Sequence, residues 1–167
     1  AADNICGGNS RFTGSQGSSV LKLFGLTAAF TGINEKAAQA AGIAYDKVVL
    51  FPASHAAYYP GAQSMAMKVL YEKESLRLLG AQIVGGNGVD KRIDVLATAI
   101  RAKMTALELT ELDLSYAPPY SSAKDPVNMA GFMIEDLESG KVRQFHWNDV
   151  EDLPCDGSAT LLDVRTA

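Results

Sequence analysis

The spacing of apolar and polar positions changes period several times along the chain. Residues 18–31, SSVLKLFGLTAAFT, are apolar on almost every side. With Ser18 or Ser19 as a cap and Gly32 as a stop, this run predicts a helix buried between two layers. A second short helix is predicted over 34–41, opened by Asn34 and closed by Gly42. Residues 47–52, KVVLFP, carry the β-branched and aromatic content of a strand. Over 64–72 the period becomes two: Met65, Met67, Val69 and Tyr71 share one face, and Lys68 and Glu72 point away. Residues 76–84, LRLLGAQIV, form the next strand, joined to the last by a charged hairpin turn at Glu72, Lys73, Glu74 and Ser75. Gly85, Gly86 and Gly88 end this β region.

Helical period returns at 89–104. Val89, Ile93, Leu96, Ala97, Ile100 and Met104 make one stripe; Asp90 lies in the first turn, and Arg101 and Lys103 in the last, matching the helix dipole. Residues 107–114 read as a short helical or extended link. Adjacent Pro118 and Pro119 fix φ and donate no backbone hydrogen bond, which predicts an extended, non-helical arm from Tyr116 to Tyr120. Asp125 as N-cap and Pro126 at the first helical position open another helix, with Val127, Ala130, Ile134 and Leu137 on one face and Gly140 as its stop. The order of elements predicts an α+β fold: an antiparallel sheet with helices packed on one side.

Composition narrows the function classes. The 167 residues are 47% hydrophobic and 20% charged, as in an ordinary globular domain. The formal net charge is −4, and no Lys/Arg block is present, so nucleic acid and anionic membranes are not expected partners. No apolar run reaches the ~20 residues of a membrane span. Residues 7–19 are rich in Gly and Ser, which predicts a loop; they do not follow a strand as a GxGxxG motif would. Cys6 and Cys155 have no metal or CxxC spacing, so each is read as incidental or buried, in a reduced, cytoplasmic setting. No metal site is expected. Residues 1–6 read as the end of a helix and the LLDVR run at 161–165 as a strand that stops abruptly, which points to a piece of a longer polypeptide.

The segment SYAPPYSSAKDPVNMAGF, at 115–132, resembles the C-terminal signature of flavin-dependent pyridine nucleotide-disulfide oxidoreductases. The nearest branch is that of coenzyme A-disulfide reductase with its NADH oxidase and persulfide reductase relatives. Other motifs follow in that family's order: AADNICGG, TGSQGSSVLKLFGLTAAFTGINEKAA, SHAAYYPGA and LLGAQIVGGNGVDKRIDVLATAI. The run DGSATLLDVRT resembles the opening strand of a rhodanese domain. The resemblance implies three parts: residues 1–19 as a remnant of the FAD-binding domain, 20–140 as the dimerisation domain, and 141–167 as a linker and the truncated start of a rhodanese-like domain.

It also implies a role. Two copies would pair across a two-fold axis, each reaching over its partner's flavin site. FAD and NAD(P)H would serve the intact enzyme, and no tightly bound cofactor or activity is expected of this fragment alone. The substrate would be a coenzyme A-type disulfide or a persulfide. The matching catalytic positions are Tyr58, in SHAAYYPGA, and Tyr116, opening YAPPY; both would stand beside the redox Cys of the other subunit. The resemblance places no redox Cys at Cys6. A phenol stays protonated at neutral pH and can donate to a departing thiolate. From the residues alone, tyrosines in a β-rich domain are also ordinary packing or interface residues. Tyr59 and Tyr120 are the neighbouring alternatives. His55, His146 and Lys124 are read as structural or solvated. The competing functional reading is a non-catalytic α+β binding domain.

Overall fold

The computed structural model describes residues 1–154, 156–158, 160 and 162. After a single helical turn, α1 (Ala2–Ile5), and a long loop, the chain forms β1 (Ser19–Leu23) and β2 (Leu26–Gly32). Then come α2 (Glu35–Ala40), β3 (Tyr45–Leu50), β4 (Met65–Glu72), β5 (Leu78–Gly85) and α3 (Val89–Arg101). A 3₁₀ turn, Leu107–Glu111, leads to the proline segment and α4 (Pro126–Glu138); a second 3₁₀ turn spans Trp147–Asp152. The sheet has five strands in the order β1-β2-β5-β4-β3, antiparallel at every junction. The α+β expectation holds.

The buried helix expected over 18–31 is instead a β-hairpin. Leu23 pairs with Leu26 across a turn at Phe24 and Gly25, where Phe24 adopts φ +52°. What decides it is distant: β2 pairs with β5 over six positions, Thr27 with Gly85 through Gly32 with Gly80. A local run with helical composition yields to a ladder it could not anticipate. Nor is this run buried, because only Ala29 and Thr31 are sealed in the core and Leu21, Leu23, Leu26 and Phe30 stay 49–61% exposed.

The alternation over β4 is as expected. Met65, Met67, Val69 and Tyr71 are buried on the helix-covered face, opposite Ile83 and Ala81 of β5 and Val48 and Leu50 of β3. Helix α3 closes this face with Val89, Ile93, Leu96 and Ala99; α4 closes it with Val127, Ala130 and Ile134. Gly131 lets α4 approach the 3₁₀ turn, since a Cβ there would stand 3.0 Å from the Ala106 carbonyl oxygen and from Leu109 Cβ. On the other face, Glu35 at the start of α2 pairs with Lys47 and Lys68. Burial opposes ionisation of Glu35, but hydrogen bonds from the two lysines outweigh it and hold the carboxyl below its ordinary range.

The helix termini follow their local signals. Asn34 Oδ1 accepts from the Ala37 amide at 2.9 Å, capping α2. Asp125 caps α4 through the Val127 amide at 3.0 Å, and Asn128 Oδ1 accepts from the Asp125 amide at 3.1 Å, completing a capping box. The proline segment differs from the expected extended arm. It has no regular element over 112–117, then turns at 118–120, with the Tyr120 and Ser121 amides donating to the Ala117 carbonyl at 2.8 and 3.1 Å. Proline fixes φ near −65° but leaves ψ open, and that φ suits a turn as well as an extended chain.

One buried cation joins these loops. Arg92, 1% exposed, projects from the first turn of α3. Its Nε and Nη2 donate to Asp125, the latter at 2.9 Å. Nη1 donates to the Gly88 carbonyl at 3.1 Å; Nη2 also reaches the carbonyls of Ser54 (3.0 Å) and Tyr120 (3.2 Å) and the Ser121 hydroxyl (3.2 Å). Gly88 opens α3 at φ +74°, and a Cβ there would collide with the Arg92 guanidinium. Burial opposes ionisation of Asp125, but bonds from Arg92, Ser121 and the Val127 amide prevail and hold its carboxyl below the usual carboxylate value.

Two outcomes are expected. Asn128 Nδ2 also donates to the Leu109 and Leu112 carbonyls at 2.9 and 3.0 Å. Asn128→Ala removes these bonds and half of the capping box, and should cost roughly 2–4 kcal/mol in denaturant melts. Acid should weaken the fold through Asp125: with its native pKa lowered, its contribution is whole above the unfolded value of about 3.9 and fades as pH falls through the native one. Melting temperature followed from pH 6 to pH 2 should fall less steeply in Asp125→Asn than in the wild type.

Candidate functional site

Tyr58 sits on the loop between β3 and β4. That loop is closed at its base by the Ala53–Ser64 bridge and by the Ser54 amide donating to the Gln63 carbonyl at 2.7 Å. Inside it, His55 is 8% exposed and spends both ring nitrogens on the loop. Its Nε2 lies 3.3 Å from the Pro60 carbonyl, which can only accept, so Nε2 carries the proton and Nδ1 accepts from the Ser54 hydroxyl at 3.1 Å. The His55 ring meets Tyr59 edge-on at 5.9 Å between centroids. His55 and Tyr59 thus hold the loop, while Tyr58 points out of it.

Tyr116 comes from the proline segment. Lys91, beside Arg92 on α3, donates to the Ser115 carbonyl at 3.2 Å. The Ala56 amide donates to the Ser121 carbonyl at 3.1 Å and ties the two loops directly. The outcome is a pair: the Tyr58 and Tyr116 hydroxyls lie 3.3 Å apart, although 58 residues separate them in sequence. Both side chains are open to solvent, 76% and 48% exposed. The hydrogen bond shared with Tyr116, with some desolvation, pushes the Tyr58 phenol up from its ordinary value. Tyr58 is therefore neutral at physiological pH. In such a pair one hydroxyl donates to the other, and the second keeps its O–H to offer an outside acceptor.

The neighbouring residues sort by contact. Tyr120 exposes its ring and, with Lys91, Ser115, Tyr116 and Ala117, lines a shallow cleft of ≈ 310 Å³. Lys124 lies over the Phe132 ring at 4.7 Å, a cation–π contact rather than a free charge. It borders a larger groove of ≈ 950 Å³ that contains none of the four loop tyrosines. His146 opens the second 3₁₀ turn, its amide donating to Asp149 at 2.8 Å. Nearby, the Gln144 amide group faces the Lys47 carbonyl and the Val49 N–H, each at 3.2 Å, and covers the free edge of β3. Cys6 is a free, exposed thiol; Cys155 and the strand expected at 161–165 fall outside the described residues, apart from Leu162, which is exposed.

Among the described residues no group of three or more His, Cys, Asp or Glu side chains could hold a metal, and no helix is long and apolar enough to cross a membrane. The described sheet is antiparallel throughout, so the described residues contain no parallel βαβ unit of the kind that seats a dinucleotide.

Arg92, the buried residue that binds the roots of both tyrosine loops, is what the sequence reading passed over. The signal was present: position 92 falls on the stripe of Val89, Ile93 and Leu96, and a charged side chain on a buried stripe demands a partner. Asp125 was legible only as a helix cap.

Comparison with known proteins follows this architecture. Residues 19–127 match the family model of the pyridine nucleotide-disulphide oxidoreductase dimerisation domain. Coenzyme A disulfide reductase of Staphylococcus haemolyticus is 42% identical over 137 residues, covering 81% of this chain and 31% of that protein. Among solved structures, reduced CoADR-RHD of Bacillus anthracis superposes with a TM-score of 0.86 at 47% identity, over 90% of this chain and 27% of that one. A NAD-dependent persulfide reductase from A. fulgidus gives 0.81 at 44% identity, over 84% and 26%. The chain thus spans less than a third of the length of these relatives. The matched residues run from the β1–β2 hairpin through both tyrosine loops into α4, and the chain belongs to the pyridine nucleotide-disulphide oxidoreductase dimerisation-domain family.

Proposed function

We propose that this chain is the interface domain of a flavin-dependent NAD(P)H disulfide reductase, of the coenzyme A-disulfide or persulfide type. In this reading it forms the homodimer and lends Tyr58 and Tyr116 to the partner's redox-Cys site. Residues 20–140 make the interface domain, 1–19 end the FAD-binding domain, and 141–167 lead toward a rhodanese-like domain. FAD and NAD(P)H belong to the rest of the intact, cytoplasmic enzyme and supply its electrons; the isolated chain is inactive.

The observation that carries the reading is the phenol pair. Two hydroxyls from distant loops meet at 3.3 Å, exposed and neutral, with one O–H left to donate outward. When a redox thiolate attacks a substrate disulfide, a new S–S bond forms, the old one breaks and a thiolate leaves. Its stabilisation governs the rate. A phenol that donates a hydrogen bond to that sulfur lowers the barrier without itself being oxidised or reduced. The homodimer is supported by the sheet face away from α3 and α4, where Leu21, Leu23, Leu26, Phe30 and Val84 are 45–61% exposed. Paired apolar faces of this kind are buried in symmetric assemblies.

In the intact enzyme, Tyr116→Phe should slow turnover of a coenzyme A-type disulfide by about 10- to 100-fold while leaving flavin reduction by NAD(P)H intact. Undiminished disulfide turnover would remove Tyr116 from the mechanism. Sedimentation of the 167-residue chain at high concentration should reveal a dimer; a species that stays monomeric throughout would count against the interface reading.

A further inference from the structure

The two tyrosines hang on loops joined directly by one backbone bond, the Ala56 amide to the Ser121 carbonyl at 3.1 Å, and their hydroxyls meet. Arg92 touches the roots of both. Its Nη2 binds the carbonyl of Ser54, at the base of the Tyr58 loop, at 3.0 Å. The same nitrogen binds the Tyr120 carbonyl and the Ser121 hydroxyl, at the base of the Tyr116 turn, each at 3.2 Å. Asp125 accepts from Nε and Nη2, the Gly88 carbonyl accepts from Nη1, and Ser121 Oγ donates to Asp125 at 2.7 Å. Neither phenol touches Arg92, so any influence on them passes through these backbone anchors.

We infer that Arg92 is a positioning residue: its planar fork sets the separation of the Tyr58 and Tyr116 hydroxyls by pinning both loops to the first turn of α3. The inference rests on the proposed role of those tyrosines only where activity is concerned; the geometry is testable without it. Lysine is not an equivalent here. It keeps the charge beside Asp125, but a single ammonium has three donors on one nitrogen and cannot reproduce a fork that serves Asp125, Gly88, Ser54 and Tyr120 in different directions. Arg92→Lys should therefore preserve the fold and relax the loops. A displacement on the order of 1 Å at reacting groups can cost about a hundredfold in rate, so a loss of roughly tenfold or more in disulfide turnover is expected.

The test has two arms. In the first, the 167-residue chain is labelled with ¹³C-tyrosine and the Tyr58 phenol is titrated by NMR. Tyr116→Phe, which removes the shared hydrogen bond, should bring the Tyr58 titration down toward about 10, and Arg92→Lys should do the same. Ile134→Ala, a core variant far from the hydroxyls in sequence, provides a control that lowers the melting temperature without moving the titration. If Arg92→Lys does not fold, Ser121→Ala takes its place, removing one link of the clamp, with a smaller shift in the same direction. If the folded clamp variant leaves Tyr58 where it is while Tyr116→Phe moves it, the inference fails. In the second arm the same variant is placed in the intact enzyme. Slower disulfide turnover with unchanged flavin reduction supports the inference and the tyrosine role together. A moved titration with full turnover upholds the clamp and overturns the catalytic reading instead.

Discussion

A buried guanidinium joins three of this domain's loops. Arg92 and Asp125 lie in the interior, and neither charge would survive there alone: the cost of leaving one unpaired is roughly 3–5 kcal/mol. Here the guanidinium donates at all three nitrogens, and Asp125 also accepts from Ser121 and the Val127 amide. A pair so fully bonded contributes geometry more than stability. The bonds run to three separate loops and meet each of them near its root. Gly88 belongs to the same constraint, since a side chain there would take the guanidinium's space.

From that anchor the tyrosine site follows. The loop carrying Tyr58 is braced from within by His55 and Tyr59 and at its base by Ser54. The turn carrying Tyr116 is stiffened by two prolines and held by Lys91 and Arg92. Neither phenol needs a hydrophobic pocket of its own. Both are exposed, and the hydrogen bond to Tyr116 holds the Tyr58 phenol in its neutral form.

The sheet divides the molecule's remaining work. One face is sealed by α3 and α4 over a core of methionine, valine, leucine and isoleucine. The other carries the Glu35–Lys47–Lys68 cluster at the β3–β4 side and an exposed apolar surface at the β1–β2 side. Leu21, Leu23, Leu26 and Phe30 make an exposed apolar face, the surface that the proposed homodimer would cover. This asymmetry is in keeping with a family defined by its dimerisation domain.

Much of this was open to reading in the residues themselves. The alternation of β4, the caps Asn34 and Asp125, Pro126 at the start of α4 and the stripe of α3 all depend on neighbours within a few positions, so local patterns suffice. The family could be read from its motifs for the same reason. What local patterns could not reach was anything settled between distant segments. The 19–32 hairpin exists because β2 finds β5, some fifty residues on, a pairing that outweighs the run's all-round apolar character. The proline segment is a local exception: its turn, with Ala117 accepting from Tyr120 and Ser121, is one of two outcomes that a proline φ allows. Arg92 is buried because Ser54, Gly88, Tyr120 and Asp125 converge on it. The hydroxyl pair, 58 residues apart, meets only because the fold brings those loops together, through Arg92, the Ala56–Ser121 backbone bond and the Lys91–Ser115 bond. Helical and strand period are properties of a short stretch of chain; the meeting of two side chains is a property of the packed whole.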